Sequence, residues 1–274
     1  MPELPEVETI RADLEPLMVG RRVAGVDLCV EPEFQARYVR LDEAVGRDIR
    51  ALRRRGKYLI ADLADRELIV HLGMTGQVGV KPTDPALKHL RVRFQLDDGS
   101  VFFFADQRRF GKIHVVSPGD YAAMPTLAEM GPEPFSPDFA FAPFAEAMSK
   151  VSNVKAALLS QKPVSGLGNI YVDEALHLAR LHPERGHLKR AEAKRLYEAI
   201  PTVLGTGISN RGTTFKDYRD GMGNYGTNQD FLMVYDREGE PCQTCGTPIR
   251  KLRVAQRGTY FCPKCQKPST TAKP

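Results

Sequence analysis

Arg91-Val-Arg-Phe-Gln-Leu-Asp-Asp-Gly-Ser-Val-Phe-Phe-Phe104 is the clearest structural statement in this chain. Two runs rich in β-branched and aromatic residues flank Asp97-Asp98-Gly99, and a glycine at that place supplies the backbone freedom of a tight hairpin turn. Working outward, residues 58–63 and 67–72 flank a second short polar turn, and residues 113–116 add another strand. Residues 23–120 therefore read as short strands separated by turns, the pattern of a sandwich or a barrel. Ahead of them, Val7, Ile10, Leu14 and Leu17 recur at helical spacing, with Pro5 suited to a first turn.

Pro and Gly crowd residues 118–143, which reads as a linker, and beyond it the period changes. Phe144, Met148, Val151, Val154 and Leu158 share one helical face; helices also fit 170–179 and 188–204, with Pro201 bending the last. Residues 205–232 are Gly-rich and short on pattern, as in a mobile loop. The chain is thus expected to be α+β, divided as 1–130, a linker at 131–143, 144–235 and 236–270.

Charge is divided as unevenly as structure. Residues 1–145 carry 19 Lys/Arg against 22 Asp/Glu, and residues 146–274 carry 20 against 12. Beyond Pro241 seven basic residues stand without an acidic one, which points to a polyanionic partner. No apolar run is long enough to cross a bilayer and no signal segment is evident, so a cytoplasmic location is expected.

Four of the five cysteines form Cys242-x2-Cys245-x16-Cys262-x2-Cys265. Two such knuckles present four thiolates tetrahedrally, which suits one structural Zn²⁺ and leaves no open coordination position. Disulfides are the alternative, and a reducing compartment argues against them. Cys29 stands apart and is expected to be a small buried apolar residue. Between the knuckles, Arg250, Lys251, Arg253 and Arg257 should lie on a β-hairpin facing a phosphate backbone.

The N-terminus reads Met1-Pro-Glu-Leu-Pro-Glu-Val-Glu8. A small second residue favours removal of Met1, leaving the secondary amine of Pro2 as the terminus. An α-amino group has a reference pKa of about 7.7–8.0 against about 10.4 for lysine, so near neutral pH far more of it is nucleophilic. Its adduct with an aldehyde carbon is a cationic iminium, an electron sink. Glu6 and Glu8 are accounted for by the helix dipole, whereas Glu3 lies before the helix and is available as a proton donor.

Three further stretches fit nucleic-acid chemistry. Ser165-Gly-Leu-Gly-Asn-Ile-Tyr171 puts a glycine turn before a helix, where N–H groups cradle a phosphate and Asn169 caps the helix or binds the anion. His71-Leu-Gly-Met-Thr-Gly76 and Arg108-Arg-Phe-Gly111 set Met74 and Phe110 beside glycines in loops, either as core residues or as wedges into a base stack. Lys57, His71 and His89 taken singly read as solvated or structural groups.

Together, PELPEVET at 2–9, RRGKYL around Lys57, HLGMTG at 71–76, DQRRFGK at 106–112, GLGNIY at 166–171 and CGTPIRK…QRGTYFCPKCQ through the cysteines resemble the formamidopyrimidine-DNA glycosylases, nearly end to end. The resemblance implies an N-terminal β-sandwich, a helix-two-turn-helix domain and a zinc ribbon. It implies a monomeric enzyme that excises 8-oxoguanine and ring-opened purines from duplex DNA and then cleaves the abasic site. Position by position it implies Pro2 as the Schiff-base nucleophile, Glu3 as the acid, and Lys57 and Arg257 as assisting groups. Met74, Arg108 and Phe110 fill the void left by the extruded base, with Arg108 facing the orphaned cytosine. His71, His89, Lys150, Lys155, Asn169, Tyr235 and Lys251, with Arg257, fall at phosphate contacts. Glu6 and Glu174 sit near the site without an assigned role, and residues 212–227 correspond to a loop over the everted base. Ser160 replaces a frequent aspartate, a change of packing rather than chemistry.

Two alternatives stay open at this level. An endonuclease VIII-like glycosylase for oxidised pyrimidines would share the proline, the glutamate and the zinc, although the Met74 and Arg108/Phe110 pair favours purines. A non-catalytic zinc-ribbon protein would explain the basic half but not the Met-Pro-Glu start.

Overall fold

A computed structural model describes residues 1–83 and 87–268. The elements run α1 (Leu4–Met18), β1 (Val23–Leu28), β2 (Tyr38–Val39), β3 (Ala51–Arg55), β4 (Tyr58–Asp62), β5 (Glu67–His71), β6 (Gly76–Lys81), β7 (Leu90–Leu96), β8 (Val101–Asp106) and β9 (Lys112–Val116). They continue with α2 (Pro125–Ala128), α3 (Phe141–Lys150), α4 (Val154–Leu159), α5 (Asn169–Leu178), α6 (Arg190–Ser209), β10 (Arg250–Val254) and β11 (Arg257–Phe261). Among the described residues no helix is long and apolar enough to cross a membrane.

Residues 1–128 together with 207–229 form one compact unit. It is a sandwich of a four-stranded sheet, β1-β7-β8-β6, and a five-stranded sheet, β2-β9-β5-β4-β3. Leu52, Leu59 and Val70 from one sheet, Val78, Phe94, Phe102 and Phe104 from the other, and Val7, Ile10 and Leu14 of α1 share a single core. Each fully buried phenylalanine there stabilises the unit by about 1.5–3 kcal/mol relative to exposure. The 97–99 turn forms as expected: Gly99 takes φ +84° and its N–H reaches the Leu96 carbonyl at 3.0 Å. Cys29, in contrast, is exposed. It lies just past the end of β1, an edge strand, where the apolar alternation stops covering the side chain.

Residues 129–206 with residues 230–268 form the second unit. The apolar face expected to run from 144 to 158 is broken in two, because α3 stops at Lys150 and α4 restarts at Val154. Asn153 is responsible: its side chain accepts the Ala156 N–H at 2.8 Å and caps a new helix. Ser160 closes α4, its hydroxyl donating to the Ala157 carbonyl at 2.6 Å and accepting the Lys162 N–H at 3.3 Å. α6 runs five residues beyond the expected end at 204 despite Pro201, which costs a helix one internal hydrogen bond. β10 and β11 pair antiparallel, Lys251 opposite Tyr260 and Val254 opposite Arg257.

Candidate active site and nucleic-acid contacts

The N-terminal segment is held from two directions. Glu3 is the N-cap of α1 in a capping box with Glu6, its N–H reaching Glu6 Oε2 at 2.8 Å. The expectation of a Glu3 without structural duty is therefore corrected: it caps the start of the helix as well as flanking Pro2, and both residues are buried. Glu6 is more than a charge at a helix dipole. Its Oε1 accepts the Thr213 N–H at 2.7 Å, tying the first turn to the 212–227 segment.

That segment is densely bonded. The Arg211 guanidinium sits between Asp13 of α1 at 2.6 Å and Asp220 at 2.5 Å, and the two carboxylates hold it strongly protonated. Asp220, buried yet held below the usual carboxylate range by Arg211 and by loop N–H groups, accepts from Met222 and Asn224. Arg219 lies over the Tyr225 ring at 3.5 Å, and Tyr225 is exposed.

Lys57 lies in the β3–β4 turn and is buried. His71 ends β5, opposite Tyr58 in register, with the two rings 4.7 Å apart. Burial, reinforced by the Lys57 and Lys112 ammoniums, pushes the His71 imidazole down to about 4, so it is neutral at pH 7. The Gly73 N–H points at Nδ1 at 3.3 Å, which leaves the ring proton on Nε2 as a donor.

Met74 and Phe110 are exposed, at 36% and 44%, on two loops that meet backbone to backbone. Gly73 takes φ +62°, and a Cβ there would stand 2.6 Å from the Gly111 nitrogen and 2.7 Å from the Phe110 carbonyl carbon. Arg108 lies over the Phe110 ring, 4.9 Å from its centroid. Neither apolar tip is core, so the packing alternative for these residues does not hold. His89 is exposed with φ +62°, and its carbonyl accepts the Asp106 N–H at 2.9 Å.

In the second unit Asn169, Tyr235, Lys251, Arg257 and Lys155 come together around the hairpin. Gly168 caps α5, so Asn169 does not; its Nδ2 donates to the Gly258 carbonyl at 2.9 Å and lies 3.4 Å from the Tyr235 hydroxyl. The Tyr235 ring meets Tyr260 at 5.1 Å, and Lys251 Nζ stands 4.9 Å above the same Tyr260 ring. Lys251 and Arg257 are exposed.

Lys155 is not an exposed phosphate contact. Its side chain has no accessible surface, and Nζ donates to Asp173 Oδ1 at 2.7 Å and Thr259 Oγ1 at 2.8 Å. Asp173 Oδ2 accepts the Tyr260 N–H at 2.9 Å, so the pair pins β11 to α5; burial pushes that carboxyl up to about 7 against the pull of Lys155. Lys150 is exposed and pairs with Glu146 at 2.6 Å, apart from these contacts. Glu174, buried, accepts the N–H groups of Met233, Val234 and Tyr235 at 2.8, 3.0 and 2.9 Å and so sets the Tyr235 backbone; burial raises its carboxyl.

The sulfurs of Cys242, Cys245, Cys262 and Cys265 lie within 4.8 Å of one another. Tetrahedral zinc at about 2.3 Å from each sulfur sets them about 3.8 Å apart, so the set fits one closed Zn²⁺ site. Hydrogen bonds from Thr247 bring the Cys245 thiol down to about 6, while burial pushes Cys265 up to about 12. His177 Nε2 stands 3.6 Å from the Cys242 sulfur and braces that ligand from α5.

Sequence reasoning missed Asp106, Asp173 and the Arg211–Asp13–Asp220 cluster. For Asp106 a signal existed, an acid directly ending the apolar run Val101-Phe-Phe-Phe-Ala105.

Three family models match this chain in order. They are the formamidopyrimidine-DNA glycosylase N-terminal domain over residues 1–113, its H2TH domain over 130–219, and the zinc finger found in FPG and IleRS over 239–268. The formamidopyrimidine-DNA glycosylase of Symbiobacterium thermophilum is 50% identical over 97% of this chain and 89% of its own length. That of Deinococcus radiodurans is 48% identical, covering 97% of both. The crystal structure of the MutM (FPG) protein from Thermus thermophilus superposes with a TM-score of 0.90 at 43% identity, covering 98% of this chain and all of that one. The Lactococcus lactis Fpg in complex with an abasic site containing DNA gives 0.87 at 36% identity, over 97% and 100%. The chain belongs to the formamidopyrimidine-DNA glycosylase family.

Proposed function

We propose that this chain acts in base-excision repair as a monomeric, bifunctional DNA glycosylase and AP lyase of the bacterial nucleoid, removing oxidised purines from duplex DNA. Family membership carries the activity, and the residue roles are our assignment. Pro2, freed of Met1, attacks C1′ of the damaged nucleotide through its secondary amine. The bond to the base breaks as Glu3 delivers a proton to the opening sugar. The iminium so formed acidifies the C2′ proton; its loss expels the 3′ phosphate, and a second elimination expels the 5′ phosphate. A one-nucleotide gap results. Lys57 supports the site from its buried turn, and Arg257 assists the last elimination. Met74, Arg108 and Phe110 occupy the space of the extruded base. His71, His89, Lys150, Asn169, Tyr235 and Lys251 bind phosphates, and the zinc ribbon presents Lys251 and Arg257.

The observation that supports this most is the double tether of the N-terminus, with Glu6 joining Glu3 to the base of the 212–227 segment. Chemistry at an α-amine needs a chain end that does not fray. Borohydride trapping on an 8-oxoguanine duplex tests it. The DNA adduct is expected on the peptide beginning at Pro2, and a protein with a retained N-terminal tag should give none. An adduct on an internal lysine would overturn the mechanism. Comparing excision of 8-oxoguanine with thymine glycol tests the purine preference.

A further inference from the structure

We propose that Asp106 is the positioning residue that sets the Met74 loop and the Arg108–Phe110 loop at one fixed separation, and so governs base extrusion and opposite-base reading. The proposal rests on the void-filling role given to those loops above.

Asp106 ends β8 with no exposed surface. Its Oδ1 accepts the Thr75 hydroxyl at 2.5 Å and the Arg108 N–H at 3.2 Å, while Oδ2 accepts the Gly111 N–H at 2.8 Å. The Thr75 oxygen itself accepts the Arg108 N–H at 3.0 Å, closing a small ring of bonds between the loops. The backbone of Asp106 is fixed as well: its N–H donates to His89, and its carbonyl accepts Arg91 Nε at 2.9 Å. One carboxylate thus holds both edges of the second loop and the residue next to Met74.

A carboxylate is the only common side chain that accepts on every lone pair and donates nothing. An asparagine would turn an NH₂ toward one of three donors and lose that bond. The loops have little slack to absorb the change, since Gly73 already sits against Gly111 and Arg109 takes φ +60°. Met74 and Phe110 stand exposed on these loops, so their mutual spacing follows from how the loops are anchored. At a preformed abasic site no base has to be expelled, and loop spacing matters less.

The test compares Asp106→Asn, Thr75→Val, Met74→Ala and Phe110→Ala with the wild-type protein. Three readouts apply: single-turnover excision of 8-oxoguanine opposite C or A, 2-aminopurine fluorescence beside the lesion, and strand cleavage at a preformed abasic site. D106N is expected to slow excision at least about tenfold more than abasic-site cleavage, to delay the fluorescence rise, and to bring the C-to-A ratio toward one. T75V should move all three in the same direction, less far. Excision by D106N within about twofold of wild type, while M74A or F110A is slow, overturns the proposal and leaves the wedge reading standing. Normal excision by M74A and F110A overturns the reading beneath it. Should D106N fail to fold, T75V decides: unchanged excision and fluorescence overturn the proposal.

Discussion

Glu6 reaches Thr213 across 207 positions of sequence, its Oε1 accepting the Thr213 N–H at 2.7 Å while Oε2 holds the N–H of Glu3. One buried carboxylate therefore links the end of the chain that carries the nucleophile to the base of the segment expected to cover the extruded base. Gly212 permits this closeness: it takes φ +83°, and a Cβ would stand 2.9 Å from Glu6 Cγ.

Replacing Glu6 by Gln keeps the shape but turns an NH₂ toward one of the two N–H groups. A buried donor left without its acceptor costs about 1–3 kcal/mol. Urea unfolding should show E6Q destabilised by that much. Excision should slow together with borohydride trapping, because Glu3 and Pro2 lose their fixed backbone. Full trapping in a destabilised E6Q would separate stability from catalysis.

Lys155 and Lys251 are both basic residues near the hairpin, yet they should behave oppositely. Removing one partner of a buried ion pair costs about 3–5 kcal/mol, so Lys155→Met should destabilise the protein strongly. It should not change the salt dependence of DNA binding, since the Lys155 ammonium is wholly enclosed by Asp173 and Thr259. Lys150→Ala, Lys251→Ala and Arg257→Ala should each lower the slope of log K against log salt by about 0.9. A changed slope in a folded K155M would mean that the buried lysine reaches the phosphates after all.

These contrasts mark what sequence can convey. Strands, the 97–99 turn and the four cysteines are written in local patterns, and the structure follows them. Whether Lys155 is solvated depends on Asp173 and Thr259, distant in sequence, and nothing in its own neighbourhood reports them. The break at Asn153 was hidden because apolar spacing continues through it while a single cap ends the register. Asp106 and Glu6 look like ordinary acids until their distant donors are found, the Thr75 hydroxyl 31 positions from Asp106 and the Thr213 N–H 207 positions from Glu6. Cys29 is exposed against expectation because burial of a small residue at a strand end depends on what lies beyond that end.

His71 gives a pH dependence with a definite sign. Its imidazole titrates at about 4 in the folded protein, against about 6.5 when exposed. Between those values the unfolded chain binds a proton that the folded one does not, so stability rises with pH. The cost of charging the buried ring, about 3 kcal/mol at most, is absent above pH 6.5, grows as pH falls, and is complete below about 4. Thermal melting of His71→Gln should show a flatter profile in that window; His114, also lowered by burial, keeps some slope in the variant. Because His71 is neutral at pH 7, H71Q should leave the salt slope of DNA binding unchanged.

Zinc removal tests how the ribbon is held. Its own core is little more than Val234, Ile249 and Tyr260 around the cysteines, too few apolar groups to fold alone. Chelation, or Cys242→Ser, should therefore loosen the hairpin and weaken DNA binding, because Lys251 and Arg257 lose their fixed places. The loss should be partial, since Asp173 and Lys155 still grip Thr259 and Tyr260 of β11 from the helical side. The sandwich owes nothing to the metal, so its unfolding transition should persist in circular dichroism while the ribbon's contribution disappears. Combining chelation with Lys155→Met weakens two of the anchors of β11, with the Asn169–Gly258 bond still in place. The affinity lost should then exceed the product of the two separate effects, and simple multiplicativity would show that the metal and the buried pair hold the hairpin independently.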